Sequence, residues 1–306
     1  MLTKATAKKT VQAYRRQHYL PAVYLKQFSA DGPAATRNSM IWRLDEQRHM
    51  RVTVRSQCAE NNFYSSSDAK ATEEMFQKFE GIYGRIAQKI WAREEPAKRD
   101  YFGLILMMFD LHCRNRCYAN ETGEENIHAY RVRIHCLRNQ LLMGKSSENV
   151  TDAELLTHLR ATWKVRLLEP TSGNELATCD NPSIWFTLDD TSDLHLIVMP
   201  ITPYCCAAAF DTRYCHVTGG RLVSEDEVLL NRYQVLVCGE CLFTSSELSM
   251  EEQASVRRTW KEREKPSGTV DRKQWTVNLQ RLSDCNSFRF LTRVPASVEP
   301  LNEALK

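Results

Sequence analysis

Residues 101–111 (YFGLILMMFDL) are apolar nearly all round a helix, and this pattern places the helix in the interior of the fold. The run is shorter than the roughly 18 apolar residues that a membrane span needs, and Asp110 interrupts its end. We therefore predict a buried central helix from Pro96 to about Tyr118, in a soluble protein that has no membrane partner.

Helical periodicity continues on both sides of this run. A third helix is predicted over residues 124–142, and a capping box formed by Thr151 and Glu154 opens a fourth helix that ends near Trp163. The helix before the central one carries an apolar stripe at spacings of three and four residues, made of Phe76, Phe79, Tyr83, Ile86 and Ile90. About four helices therefore form a central block.

Alternating apolar residues predict strands around this block. Residues 40–44 and 50–54 form a hairpin, and residues 194–201 and 205–210 add two further strands. A helix is expected over 225–239, and a charged surface helix over 251–263. The mixed order predicts an α+β fold: a central helical block flanked by short antiparallel hairpins and sheet.

The composition is that of a globular protein. The chain has 306 residues, of which 42% are hydrophobic and 26% charged, and this excludes disordered and fibrous classes. A formal net charge of +3 argues against a large surface that coats nucleic acid. We expect a flexible basic arm over residues 1–16 and one α+β domain over 17–306, with a subdomain boundary near 145–152. Because the first residues lack the apolar core of a secretory signal, we expect the protein in the cytoplasm.

The 11 cysteines are odd in number and irregularly spaced, which favours reduced thiols over a disulfide framework. One CxxC motif is present, and a second tight ligand pair of the kind that zinc sites use is missing. We therefore expect structural cysteines rather than zinc. The candidate zinc ligands are Cys205, Cys206, Cys215, His216, Cys238 and Cys241.

Two glutamates border the apolar stripe of the first long helix. Glu73 and Glu80 are seven positions apart, which places them about 20° apart around a helix. Paired carboxylates at one edge suit a divalent cation, Mg²⁺ or Mn²⁺, or acid–base chemistry. The alternative is two solvated glutamates beside a core stripe.

Arg114 and Arg116 end the central helix. They can hold a phosphate by bidentate hydrogen bonds, or form a structural ion pair with Glu73 or Glu80. If Pro96 permits a short reversal, the two helical arms are about 26 and 28 Å long at 1.5 Å per residue. We therefore predict that Glu80 lies within salt-bridge reach of Arg114 or Arg116.

Three further polar residues carry alternatives. His18 suits a general base or metal ligand, because imidazole titrates near neutral pH, but it also suits a structural role. Asp180 and Asn181 precede Pro182, so they form either a plain Asx turn or a carboxylate at a pocket mouth. The motifs GxGxxG, GxxxxGK[ST], GxSxG and HExxH are absent from the sequence, which removes the common nucleotide-binding, α/β-hydrolase and zinc-peptidase classes but not every fold that does such chemistry.

The motif His18-Tyr-Leu-Pro, with Tyr24, Leu25 and Phe28 after it, resembles the opening of a mainly bacterial family, domain of unknown function number four-two-three-eight. The resemblance runs from about Gln17 to Ser245. Cys179 departs from the family pattern, since it separates Thr178 from Asp180. The family label implies no activity. Its other matching features are Trp42, the turn Asn62-Phe63-Tyr64, Glu73 and Glu80, Arg114 to Arg116, Asp180 to Pro182, Met199-Pro200-Ile201 and Asn231.

Two functions are compatible with these residues. The first is an effector hydrolase, a metal-dependent nuclease of a toxin or anti-phage system that acts on nucleic acid or a nucleotide. The second is a non-enzymatic ligand-sensing or interaction module with a buried polar network. The residues of this network are His18, Glu80, Arg114 and Asp180. For the hydrolase, the catalytic residues are His18, Glu73, Glu80, Arg114, Arg116 and Asp180, the metal ligands Glu73, Glu80 and Asp180, and the substrate-binding residues Tyr19, Asn181 and Asn231.

Overall fold

A computed structural model describes residues 16–61, 69–114, 138–139, 141–143, 150–188, 194–262, 279–281 and 288–294. Within them the helices are α1 (Ala22–Leu25), α2 (Ala69–Trp91), α3 (Lys98–Cys113), α4 (Asp152–Thr162), α5 (Ser224–Val237) and α6 (Met250–Glu262). Short 3₁₀ turns lie at Lys26–Phe28, Gly32–Ala34 and Val54–Ser56.

Fourteen strands are found in the same ranges. They are β1 (Arg16–His18), β2 (Met40–Leu44), β3 (His49–Thr53), β4 (Ala59–Asn61), β5 (Trp163–Pro170), β6 (Thr178–Cys179), β7 (Ile184–Thr187), β8 (Leu196–Thr202), β9 (Cys205–Asp211), β10 (Cys215–Val217), β11 (Arg221–Leu222), β12 (Leu242–Thr244), β13 (Leu279–Arg281) and β14 (Leu291–Arg293).

A six-stranded sheet has the order β11-β5-β9-β8-β7-β13, with antiparallel pairing in the middle and parallel pairing at both edges. Strands β8 and β9 are buried along their whole length, because small and β-branched side chains fill both of their faces. Their pairing shifts register between Pro200 and Thr202, where a proline without an N–H group is tolerated at a bulge.

This sheet separates two hydrophobic cores. Along β8, Ile197 and Met199 belong to the core that also contains the buried faces of α1, α2 and α3. Leu196 and Val198 point the other way, into the core that contains the buried face of α5. Successive strand residues alternate between the two faces of a sheet, so a single run of apolar residues contributes to both cores.

Helices α2 and α3 form the predicted antiparallel hairpin. Asp100 begins α3 by accepting the backbone N–H of Ala97 at 3.0 Å, just after Pro96. The helices approach closely at Gly103, where a Cβ atom would lie 2.7 Å from Cγ2 of Ile82. The absent side chain of Gly103 therefore sets the distance between the two helices.

Several local predictions are confirmed. The capping box opens α4, with the Glu154 N–H donating to Thr151 Oγ1 at 3.2 Å and the Thr151 N–H donating to Glu154 Oε2 at 2.8 Å. The hairpin of β2 and β3 joins β12 and β6 in a four-stranded antiparallel sheet, of order β3-β2-β12-β6. Two-stranded pairs β1–β4 and β10–β14 complete the sheets of the described ranges.

The α+β class is confirmed, whereas the predicted number of about four helices is too low. Helices α5 and α6, predicted over 225–239 and 251–263, lie outside the predicted central block, and α1 and the 3₁₀ turns add further short helical segments. Residues 1–15 of the basic arm, most of the predicted third helix, the Asn62-Phe63-Tyr64 turn and the linker at 144–149 lie outside the described residues, whereas Arg16 belongs to β1. No helix among those described is both long and apolar enough to span a bilayer.

Candidate functional site

Arg114 lies at the end of α3 and is 2% exposed. Its Nη2 atom donates to the carbonyl oxygen of His18 at 2.9 Å and lies 3.6 Å from Glu80 Oε1. Its Nη1 atom lies 3.4 Å from Asp110 Oδ2, and its guanidinium stands 3.6 Å from the centre of the Phe76 ring. These five residues are called the arginine cluster below, and they confirm the predicted contact between Glu80 and Arg114.

The arginine cluster follows from the hairpin and from helical spacing. Asp110 and Arg114 are one turn apart on α3, and Glu80 faces them from α2. Burial raises the pKa of Asp110 to about 6, although the positive charge of Arg114 opposes this shift. With two carboxylates, one carbonyl and one ring around it, the guanidinium ties β1, α2 and α3 together rather than presenting an open anion site.

Asp180 is buried in a turn and organises the loop that carries the CxxC motif. Its two carboxylate oxygens accept the backbone N–H groups of Gly239 and Glu240, each at 2.8 Å, and the Cys238 thiol also donates to it. Burial still raises the pKa of Asp180. A Cβ atom on Gly239 would lie 2.9 Å from Asp180 Oδ2, so this close approach requires glycine.

A cluster of four buried thiols surrounds this turn: Cys58, Cys179, Cys238 and Cys241, called the thiol cluster below. Cys179 is hydrogen-bonded to Cys238, and Cys58 to Cys241. Burial raises the pKa of Cys179 and Cys238, and burial together with the Cys58 hydrogen bond raises that of Cys241. These three thiols are therefore held in the neutral form, as is typical of structural cysteines.

Tyr19, predicted to bind substrate, belongs to this neighbourhood. It is 5% exposed, and its backbone N–H donates to the carbonyl oxygen of Cys58 at 3.0 Å. Burial raises the pKa of its phenol, and the nearby Cys58 and Asp180 add to the shift. Since Tyr19 directly follows His18, the arginine cluster and the thiol cluster are adjacent at the end of β1.

The two predicted asparagines connect α5 to the segments before it. Asn181 Nδ2 donates to the carbonyl oxygen of Val237 at 3.3 Å. Asn231 Oδ1 accepts the backbone N–H of Ala177 at 2.8 Å, and its Nδ2 donates to the carbonyl oxygen of Glu175 at 3.2 Å. Asn181 is buried, whereas Asn231 also lines a cavity.

The structure thus divides the predicted site residues among three places. Glu80 and Arg114 meet in the arginine cluster, which His18 joins through its backbone carbonyl. Tyr19, Asp180 and Asn181 adjoin the thiol cluster, and Asn231 lies at the cavity. The side chain of Glu73 and the whole of Arg116 lie outside the described part of the chain. Among the side chains that are described, no group of three or more His, Cys, Asp and Glu residues is placed to hold a metal ion.

The cavity has a volume of about 690 Å³ and lies between the loop 173–177, α5, β12 and α6. It is called the α5–α6 cavity below. Glu175 on its wall receives three hydroxyl hydrogen bonds: from Tyr204 at 2.7 Å, from Ser246 at 2.7 Å, and from Ser245. These donors outweigh the effect of burial and lower the pKa of Glu175, so its side chain is ionised at neutral pH.

Charged and apolar residues share the rest of this wall. Two further carboxylates, Glu227 and Glu252, and one guanidinium, Arg232, line the cavity. Glu227 is 1% exposed and accepts the N–H groups of Thr171 and Ser172 at 2.7 and 3.1 Å. The apolar part of the lining comprises Ala177, Val228, Val235, Leu242, Leu248 and Val256.

Apart from Asn231, the sequence did not point to this cavity. Glu175 follows Gly173 and Asn174, a plain loop signal, and its hydroxyl partners lie 29 to 71 positions away. Asp110 carried a usable signal, because a carboxylate on an apolar helix with an arginine four residues later marks a buried ion pair.

The comparisons with known proteins bear on the same segments. A family model described as "Protein of unknown function (DUF4238)" matches residues 16–219. No curated protein and no solved structure matches the chain. The matched stretch contains the arginine cluster, Asp180, and the part of the α5–α6 cavity that holds Glu175 and Tyr204. Because the match covers more than half of the chain, the protein belongs to the DUF4238 family.

Proposed function

We propose that the protein is a non-enzymatic ligand-binding module whose ligand occupies the α5–α6 cavity. The observation that carries this proposal is the cavity itself. Its volume of about 690 Å³ is in the range of small-molecule sites, which is about 300 to 1,000 Å³. Its wall combines apolar side chains with a few fixed polar groups, the usual composition of such a site.

The arginine cluster also supports a non-enzymatic function, because its charged groups already have partners within the protein. Arg114 is 2% exposed, and two carboxylates and a backbone carbonyl surround its guanidinium. A buried and satisfied network of this kind fixes the relative positions of chain segments. It holds β1, α2 and α3 in place beneath the sheet, and the ligand site lies elsewhere.

Blocking the cavity tests this proposal. Ser255 is an exposed residue of α6 that lines the cavity, and its neighbour Ala254 is exposed but does not line it. Purified full-length protein and the variants Ser255→Trp and Ala254→Trp are heated with pools of small metabolites. A ligand that binds only the native state raises the Tm.

At least one pool should raise the Tm of the wild type and of Ala254→Trp while leaving that of Ser255→Trp unchanged. A pool that stabilises all three proteins equally places its ligand elsewhere, and the cavity then loses its proposed role.

A metal-dependent phosphodiesterase of a toxin or anti-phage system is the second candidate. The observation in its favour is that the backbone of His18 and the side chains of Glu80 and Arg114 lie together, with the Glu80 side chain 25% exposed. The test is cleavage of mixed RNA and DNA in Mg²⁺ or Mn²⁺ by the wild type, His18→Ala and Glu80→Gln. Cleavage that both variants lose supports the enzyme, and equal cleavage by all three assigns the activity to a contaminant.

A further inference from the structure

We infer that the ligand of the α5–α6 cavity is an organic cation, an amine or guanidine attached to an apolar body. This inference rests on the proposed ligand-binding function and specifies the chemistry of the same site.

The first step is the state of Glu175. Three hydroxyl groups, those of Tyr204, Ser245 and Ser246, donate to its carboxylate. No lysine or arginine in the part of the chain that the structure describes forms an ion pair with it. Neutral donors, including the backbone N–H of Ser246, therefore hold a half-buried negative charge that no cation among the described residues neutralises.

The second step is the net charge of the residues that line the cavity. Glu227 and Glu252 carry the same charge as Glu175, and Arg232 is the single cation that lines the cavity among the described residues. Glu252 is fixed as well, because it accepts the Ser249 N–H at 2.7 Å. The chain as a whole has a formal charge of +3, so the negative wall is a local feature. Fixed charges of one sign in a concave site attract a ligand of the opposite sign.

The third step separates an organic cation from a metal ion. Val235, Leu242 and Val256 form an apolar part of the wall, which binds carbon rather than a hydrated ion. Tyr204 also lines the cavity, and its hydrogen bond to Glu175 and edge contact with Trp91 hold the ring in position. An aromatic face next to a carboxylate favours an ammonium or guanidinium group.

The experiment uses isothermal titration calorimetry on the full-length protein. The probes are phenethylamine, tyramine, tryptamine, phenylguanidine and cadaverine, together with neutral alcohols and carboxylates of matched size. At least one cation should bind with a Kd of about 100 μM or tighter, and about tenfold more tightly than its neutral and anionic counterparts. Raising the salt concentration should weaken this binding.

Matched variants then locate the charge that is recognised. Glu175→Gln should weaken binding of that cation about tenfold, the equivalent of 1.4 kcal/mol. Glu252→Gln should weaken binding of the same cation by a smaller factor. This variant removes a charge from the cavity wall without altering the hydrogen bonds around Glu175. Glu251→Gln is the control, because Glu251 is exposed on the same helix and does not line the cavity.

The outcomes separate the two proposals. Binding of neutral or anionic probes alone, blocked by Ser255→Trp, overturns the cation inference and keeps the ligand-binding function. Cation binding that survives both Glu175→Gln and Glu252→Gln also overturns the inference. If neither this panel nor the metabolite pools bind, both proposals are rejected.

Discussion

Arg114 Nη2 lies 3.6 Å from Glu80 Oε1, where α2 and α3 run side by side, and the same atom donates to the carbonyl oxygen of His18 at 2.9 Å. One buried cation therefore connects the hairpin of two helices to the first described strand. Its removal affects three segments at once.

Arg114→Met should destabilise the protein by about 3 to 5 kcal/mol, because it leaves Asp110 and Glu80 without their buried counter-charge. Urea unfolding followed by circular dichroism measures the change. Arg99→Met, at an exposed arginine of the same helix, serves as the matched control and should shift the free energy of unfolding by less than about 0.5 kcal/mol. Equal effects of the two changes would contradict the central role of Arg114.

Glu80→Gln should cost only about 1 kcal/mol. The side chain of Glu80 is 25% exposed, and its oxygen lies 3.6 Å from the guanidinium, so solvent weakens this contact. Urea unfolding at pH 7 measures the change. A loss above about 3 kcal/mol would show that the contact between Glu80 and Arg114 is shielded from solvent.

His112 should make the protein sensitive to acid. It stacks on Trp185 with ring centres 3.9 Å apart and donates from Nδ1 to the carbonyl oxygen of Ser183 at 2.9 Å. Burial lowers the pKa of His112 to about 4. The unfolded chain, with a pKa near 6.5, binds a proton first, so this contribution is fully present above about pH 6.5 and is lost as the pH falls towards 4.

The variant His112→Phe isolates this effect. Its unfolding free energy should fall less steeply between pH 6.5 and 4 than that of the wild type, by up to about 3 kcal/mol over the range. The exposed His216, changed to Phe, provides the control. Parallel pH profiles for all three proteins would contradict a neutral, buried His112.

The Asp180 turn should tolerate no side chain at position 239. Gly239→Ala should cost about 1 to 3 kcal/mol, because its Cβ would lie 2.9 Å from Asp180 Oδ2 and displace the hydrogen bonds to that carboxylate. Gly220→Ala is the control, since its nearest neighbour would be the carbonyl oxygen of Leu167 at 3.9 Å. Thermal unfolding measures both, and a neutral Gly239→Ala would show that the loop can move away.

The thiol cluster should be independent of metal. A chelator should leave the Tm unchanged and metal analysis should find no stoichiometric zinc, because neutral, buried thiols pack as small apolar side chains. Loss of cooperative unfolding on chelation would identify a structural zinc, since bound zinc contributes directly to folding.

Local signals predicted the elements whose stability is local. Pro96 and the stripe of α2 predicted the helical hairpin, and comparison of the arm lengths placed Glu80 beside Arg114. Strand β5 was not predicted, although Trp163, Val165 and Leu167 alternate with Lys164 and Arg166 as in a half-buried strand, and its partner β9 lies about 40 residues later. Pairing over such distances depends on tertiary packing, which residue periodicity does not encode.

The same reason separates the predicted and the unpredicted parts of the candidate site. Arg114 and Asp110 lie on one helix turn, so spacing alone brings them together. Asp180 is satisfied by backbone N–H groups 59 and 60 positions away, and the backbone has the same chemistry at every residue. Glu175 likewise depends on a tyrosine and two serines from distant segments.

The alternation of β8 between two cores has a consequence for insertions and deletions. An insertion that shifts the register of the whole of β8 by one residue would move Ile197 and Met199 to the far side of the sheet and bring Leu196 and Val198 to the near side. The side chains of β8 would then no longer fit the hydrophobic core on either face of the sheet. Tyr204 is 46% exposed and lies in the turn between β8 and β9. A residue inserted in this turn does not change which face of the sheet the side chains of either strand occupy. Changes in chain length at this turn therefore leave both cores intact and act on the contact between Tyr204 and Glu175, whereas the strands beside it can change only by substitution.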